Sequence, residues 1–134
     1  MKAIIVLALS LAAIFSASSA FGAEPNPVTE KFIDGCHLAA QSTDALRDAF
    51  RAAPSDRKVY ALMCVTATST ALQIAKSAHR FSYFGLHACV PPSANLVQVM
   101  HNVVSLSARM DSAKQQSPDD LVILAIVDLY ECDG

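Results

Sequence analysis

Four cysteines and four histidines are the side chains of this 134-residue chain with the most obvious capacity for chemistry. Cys36 directly precedes His37, and His87 stands two residues before Cys89. A thiolate activated by an imidazole, or a mixed Cys/His metal site, is therefore the first chemistry to weigh. The spacing supports neither. No C-x-x-C or H-x-x-x-H pair occurs, and the two Cys/His pairs are isolated from each other in the chain. G-x-S-x-G, H-E-x-x-H and a Gly-rich phosphate loop are also missing. The sequence predicts no catalytic residue, no metal, no cofactor and no enzyme activity.

The chemistry that remains is oxidation. Residues 1–20 read as a signal peptide: Lys2 is a basic start, Ala3 to Ala17 is an apolar run broken only by Ser10, and Ser18-Ser19-Ala20 supplies small residues at the cleavage site. The run is about 15 residues long against roughly 20 needed to span a bilayer, which favours a removable leader over an anchor. Cleavage is expected after Ala20, or after Gly22 through the Ala20-Phe21-Gly22 triplet. The mature domain, residues 21–134, would then be periplasmic, with no membrane attachment. Export places Cys36, Cys64, Cys89 and Cys132 in an oxidising compartment, where an even count in a small domain reads as two disulfides.

Roughly 112 mature residues make one domain, large enough for its own core. Lys2 leaves with the leader, so nine Lys and Arg face twelve Asp and Glu. That balance argues against a nucleic-acid partner, which requires a basic face to displace counterions from phosphate. Trp is absent and aromatics are 7 %, so no stacking platform is advertised.

The elements that must position the cysteines read as helices throughout, since no sustained apolar/polar alternation is bounded by Asn-Gly or Asp-Gly turns. The expected fold is all-α, a compact bundle of four to five helices stapled by disulfides. An extended Glu24-Pro25-Asn26-Pro27 leads into a first helix near Val28. Phe32, Cys36, Ala39, Leu46, Ala49, Phe50 and Ala53 then recur at helical spacing. Ser42-Thr43-Asp44 is either the exposed side of one long helix or the cap of a second, short one. After Pro54-Ser55-Asp56 an inner stripe of Tyr60, Cys64, Ala67, Ala71, Ile74 and Ala78 is predicted. Thr66, Thr68, Ser69 and Thr70 are poor helix formers, so packing must hold this element. The connection His79–Ala88 carries three aromatics. Beyond Cys89-Val90-Pro91-Pro92, Ser93 is the expected cap of a helix burying Leu96, Val99, Met100, Val103, Leu106 and Met110. Gln98, His101, Asn102, Ser105 and Arg109 face away. The last helix has Ser117 as N-cap, Pro118 at the first helical position, and Asp119 and Asp120 at the positive end of the dipole. Apolar on all sides from Leu121 to Val127, it is either the central core helix or one side of a homodimer contact.

If the last two helices form a hairpin about residues 112–117, Cys89 before one lies close to Cys132 after the other. Cys36 then pairs with Cys64. A straight helix over 28–53 would place Cys36 roughly 13 Å from Cys64 at 1.5 Å per residue, whereas bridged cysteines need Cα atoms within about 7 Å. The pairing therefore predicts a break near Ser42, or a crossing that is not a simple hairpin.

The series Cys89-Val90-Pro91-Pro92, Leu96, Gln98, Val99, Val103, Val104, Pro118, Leu121, Val122, Ala125, Ile126 and Tyr130-Glu131-Cys132 resembles the C-terminal half of the Rap/Tai family, and Cys36 and Cys64 stand where that family places its other two cysteines. The resemblance implies an exported helical immunity protein that binds and inhibits a type VI secretion effector, often a peptidoglycan amidase. An inhibitor of that kind needs a stiff scaffold and a protruding segment that fills the target's cleft, because rigidity limits the ordering cost of binding. Arg80, Tyr83, Phe84 and His87 are the candidate partner-binding residues, Tyr, Phe and Arg being types that dominate interface energy. Arg80, Tyr83 and His87 are expected to face outward, while Phe81, Phe84 and Leu86 either join them or tuck back onto the core. The alternative function is a periplasmic acid-stress chaperone of the Hde type; a third is an assembly subunit of the envelope. Under the immunity reading, replacing Arg80 and Tyr83 by Ala is expected to weaken effector binding by about 2 kcal/mol or more without moving the melting curve.

Overall fold

Asn26 opens the first helix: its side-chain oxygen accepts from the Val28 amide at 3.0 Å while Pro27 fills the first helical position, where its missing N–H costs nothing. The structure, a computed structural model, describes residues 24–41, 43–78 and 80–132. The leader with its cleavage sites, Ser42 and His79 lie outside the described residues. Within them the chain forms α1 (Pro27–Ala39), α2 (Thr43–Ala52), α3 (Ser55–Ser77), β1 (Phe81–Tyr83), β2 (Leu86–Ala88), α4 (Leu96–Arg109), a 3₁₀ turn (Asp111–Gln115) and α5 (Pro118–Leu129). The expected disulfide-stapled helical bundle is what the chain folds into, with one small hairpin added.

The core sits between α1, α3, α4 and α5, centred on Phe32, Leu38, Val99, Val103, Leu121 and Ile126, all essentially inaccessible to solvent. α1 lies along α3 at very short range. A Cβ placed on Gly35 would fall 2.4 Å from the Tyr60 carbonyl carbon and 2.6 Å from the Ala61 nitrogen, which are backbone atoms unable to move aside. That approach brings Cys36 and Cys64 to a Cα separation of 5.3 Å, and the two are bonded. Cys89 and Cys132 are bonded as well, at 5.0 Å, so all four cysteines are paired as expected. Of the two arrangements the first bridge allowed, the break is present, since α1 stops at Ala39 and α2 starts at Thr43.

Three expectations are overturned. The inner stripe of α3 is Ala61, Cys64, Thr68, Leu72 and Ala75, turned by about one residue from the predicted Tyr60–Ala78 series, and Ile74 is 56 % exposed. α3 is rich in alanine and threonine, so more than one face reads as apolar and spacing alone does not choose; contact with α1 does. Asn95 caps α4 in place of Ser93, accepting from the Val97 amide at 2.8 Å, because Pro91 to Ala94 form a turn ahead of it. On α4, Met110 is exposed, while Asn102 is buried and donates to the Ala125 carbonyl at 3.0 Å and the Asp128 carboxylate at 2.9 Å. Arg109 holds the same Asp128 oxygen at 2.8 Å, so α4 is tied to the last turn of α5.

Gly35→Ala is expected to force α1 off α3 and destabilise the fold by about 3 kcal/mol or more, the upper range for overpacking, read as a shift of the denaturant midpoint. A midpoint within experimental error of the parent's would show that the two backbones are not in contact.

Candidate functional site

The connection after α3, in a chain that gave no strand signal, is a β-hairpin: Phe81 pairs with Ala88, Ser82 with His87 and Tyr83 with Leu86. Its strands are three residues each, too short to display an alternation in the sequence. Its turn uses Phe84-Gly85 where Asn-Gly is the usual signal. Both turn residues have positive φ, 46° and 78°, as a type I′ turn demands. Gly85 adopts that region freely, whereas a phenylalanine there is strained by about 1–2 kcal/mol.

The hairpin lies on α5 and is held at both ends. Near the tip, the Tyr83 hydroxyl donates a hydrogen bond to the Asp120 carboxylate. Asp120 sits in the first turn of α5, where its amide donates to the Ser117 capping oxygen at 3.2 Å and its carboxylate accepts from the Ser117 hydroxyl at 2.7 Å. At the base, Ala88 pairs with Glu131, the Cys89 amide donates to the Tyr130 carbonyl at 2.7 Å, and the Cys132 amide donates to the His87 carbonyl at 3.2 Å. The Cys89–Cys132 bridge closes that end.

Four candidate partner residues are thereby sorted. Phe84 is 88 % exposed at the tip, with its ring edge-on to Tyr83 at 4.6 Å between centroids. Arg80 is exposed. Tyr83 and His87, expected to face outward, are half-buried: Tyr83 is spent on Asp120, and His87 shares a 2.9 Å hydrogen bond from Nδ1 to the Ser82 hydroxyl oxygen. Phe81 packs against the core as the inward alternative foresaw, while Phe84 and Leu86 do not tuck in. Position along the hairpin decides this: Phe81 stands at its base opposite the buried Ala88, whereas Phe84 lies in the turn and Leu86 directly after it.

Sequence reasoning missed a second feature. Val59, Leu62, Met63 and Ile74 are exposed along one face of α3 and line, with Phe81 and Val122, an open groove of about 740 Å³. Asp119, beside the hairpin anchor, is its one charged lining residue among the described residues. The signal was available as a second apolar stripe beside the buried one. Among the described residues no cluster of three or more His, Cys, Asp or Glu is placed to hold a metal ion, and no helix is long and apolar enough to cross a membrane.

The electrostatics follow the anchors. Hydrogen bonds from Tyr83 first and Ser117 second hold the Asp120 carboxyl below the usual carboxylate range. The same contact pushes the Tyr83 hydroxyl above its ordinary value, with partial burial and the negative charge of Asp120 adding to it. Asp128 is likewise lowered, chiefly by Asn102 and then by Arg109. No protein-family model matches the chain, and neither a curated protein nor a solved structure is significantly similar to it.

A carboxyl with a depressed folded pKa contributes stability above its unfolded value, near 4, and loses it as pH falls through the folded one. Amide protection factors at residues 81–88 are therefore expected to hold between about pH 7 and pH 5 and to fall below about pH 4. Asp120→Asn should lower them at neutral pH and flatten that acid dependence. Equal protection in parent and variant across the range would mean that the carboxylate does not anchor the hairpin.

Proposed function

We propose that the mature chain is an exported, non-catalytic binding protein that inhibits a cognate secreted effector by inserting the hairpin tip into the effector's cleft. The observation that carries this reading is Phe84: a large aromatic, 88 % exposed, in a left-handed conformation that a phenylalanine adopts only at a cost. The fold gains nothing from it that asparagine would not supply more cheaply. Aromatic anchors on preorganised segments, by contrast, are what tight interfaces use, since little freedom remains to be lost on binding. The two anchors on α5 provide that preorganisation. A tip of this size is smaller than the roughly 800 Å² per partner of an ordinary stable interface. The apolar α3 face adjoins the base of the hairpin through Phe81 and would supply further contact area for the same partner.

The resemblance to Rap/Tai proteins gives the partner its class, a type VI secretion effector that hydrolyses peptidoglycan, and the leader gives the meeting place, the periplasm. The rival reading, an acid-stress chaperone, is favoured by the exposed α3 stripe, which would suit many unfolded clients. It requires general protection of unrelated proteins from aggregation near pH 3, which an inhibitor of one enzyme does not provide.

Phe84→Asn separates folding from function. Asparagine tolerates positive φ, so thermal stability is expected to be equal or higher, while inhibition of the enzyme captured from periplasmic extract weakens about 30-fold, or about 2 kcal/mol. Tyr83→Ala is not a clean probe, because it removes an anchor. Undiminished inhibition by Phe84→Asn would move the contact away from the tip.

A further inference from the structure

The two disulfides are placed in opposite surroundings. Cys36 and Cys64 have no solvent-accessible surface and lie in the core between α1 and α3. Cys89 is exposed and Cys132 half-exposed. Thiol–disulfide exchange requires a thiolate to approach a sulfur along the S–S axis, so access separates the two bridges kinetically, and exposed bridges are in general the labile ones. What the outer bridge holds is local: it fastens the Glu131–Cys132 segment to the free edge of β2, next to the Cys89–Tyr130 and Cys132–His87 hydrogen bonds. The inner bridge holds the bundle itself.

We propose that Cys89–Cys132 is a reducible clip that sets the stiffness of the hairpin, so that the thiol redox state of the compartment regulates presentation of Phe84. The agent is a dithiol reductant, of the protein dithiol class or a small dithiol. One of its thiolates attacks the sulfur of Cys89, the more exposed residue of the pair, the S–S bond breaks, and Cys132 leaves as a thiolate that takes up a proton. The reductant's second thiol, as thiolate, then attacks the mixed disulfide and expels Cys89, which is protonated in turn. The reductant ends as a disulfide, and two electrons and two protons have passed to the cysteine pair. The bundle stays closed by Cys36–Cys64 while the hairpin loses the covalent fastening of its base, which is then held only by non-covalent contacts, and keeps the Tyr83–Asp120 anchor near its tip. The consequence for inhibition rests on the function proposed above; the selective reduction and its effect on the hairpin do not.

The native mature protein is treated with graded dithiothreitol at neutral pH, trapped with an alkylating reagent and mapped by peptide mass spectrometry, with amide exchange followed in parallel. Cys89 and Cys132 are expected to be alkylated at least tenfold faster than Cys36 and Cys64, helical circular dichroism to persist, and exchange at residues 81–88 to accelerate several-fold. The Cys89→Ser/Cys132→Ser double variant should reproduce the faster exchange without reductant. Equal reduction rates for the two bridges, prior reduction of Cys36–Cys64, or unchanged hairpin exchange in both the reduced protein and the variant would each overturn the proposal. These readouts need no partner, so they stand apart from the Phe84→Asn result. If that result supports insertion of the tip, reduced protein should also inhibit at least tenfold more weakly than oxidised protein, and equal inhibition would overturn the regulatory step.

Discussion

The near-contact of α1 and α3 at Gly35 is the constraint on which the rest of this molecule depends. Helix pairs usually pack with axes 8–10 Å apart, and small residues at the crossing allow the near end of that range. Gly35 has no side chain to hold the Tyr60–Ala61 backbone off, and one residue later Cys36 reaches Cys64. The bridge closes a 28-residue separation and, in the chain-entropy account, stabilises by roughly 3–4 kcal/mol through the unfolded state. It also dictates shape. A helix continuing through residues 40–42 could not return to make that bridge, so α2 is a separate, short element. α3 in turn tolerates Thr66, Thr68, Ser69 and Thr70 because contact with α1 offsets their modest propensity. Thr68 is fully buried there, with its hydroxyl 3.8 Å from the Cys64 sulfur.

Rigidity is therefore distributed in two tiers. The inner tier is the α1–α3 bridge with the apolar core that α4 and α5 complete. The outer tier is the hairpin, which has almost no core of its own and borrows its order from both ends of α5. Asp120 serves two structures at once: through Ser117 it belongs to the N-terminal capping of α5, and through Tyr83 it positions the tip. A two-stranded hairpin of six strand residues would not be stable alone in water. That this one can also carry a phenylalanine at φ 46° means that its anchors outweigh a local strain of about 1–2 kcal/mol. Strain sustained this way is informative because nothing in the fold requires it.

What the sequence made legible, and what it did not, divides along the same line. Helix signals that depend on local chemistry were readable: Ser117-Pro118-Asp119-Asp120 at the start of α5, the clean period of α4, and the cysteine pairing with its demand for a break after α1. Choices that depend on a tertiary neighbour were not. Nothing local distinguishes the Ala61–Leu72 face of α3 from the Val59–Ile74 face; α1 selects one and leaves the other in solvent. Asn102 reads as a surface residue until the Ala125 carbonyl and Asp128 are brought opposite it. At the candidate site, the sequence singled out the segment by its aromatics and arginine. The orientation of Tyr83, Phe84 and His87 was not, since it follows from a strand register that six strand residues and a Phe-Gly turn do not announce.

The histidines return the question to chemistry. Ser82 and His87 form the one nucleophile-and-base type of pair on the hairpin, 2.9 Å apart, yet the arrangement favours a structural role. A catalytic imidazole is normally held by an acid on one nitrogen while the other receives the nucleophile's proton. Asp120, the carboxylate that anchors this hairpin, has its hydrogen bonds committed to Tyr83 and Ser117. Ser82 and His87 are also directly cross-strand, so their contact is what adjacent polar side chains on a two-stranded ribbon make. Their hydrogen bond stiffens the ribbon between the Tyr83 anchor and the Cys89–Cys132 bridge.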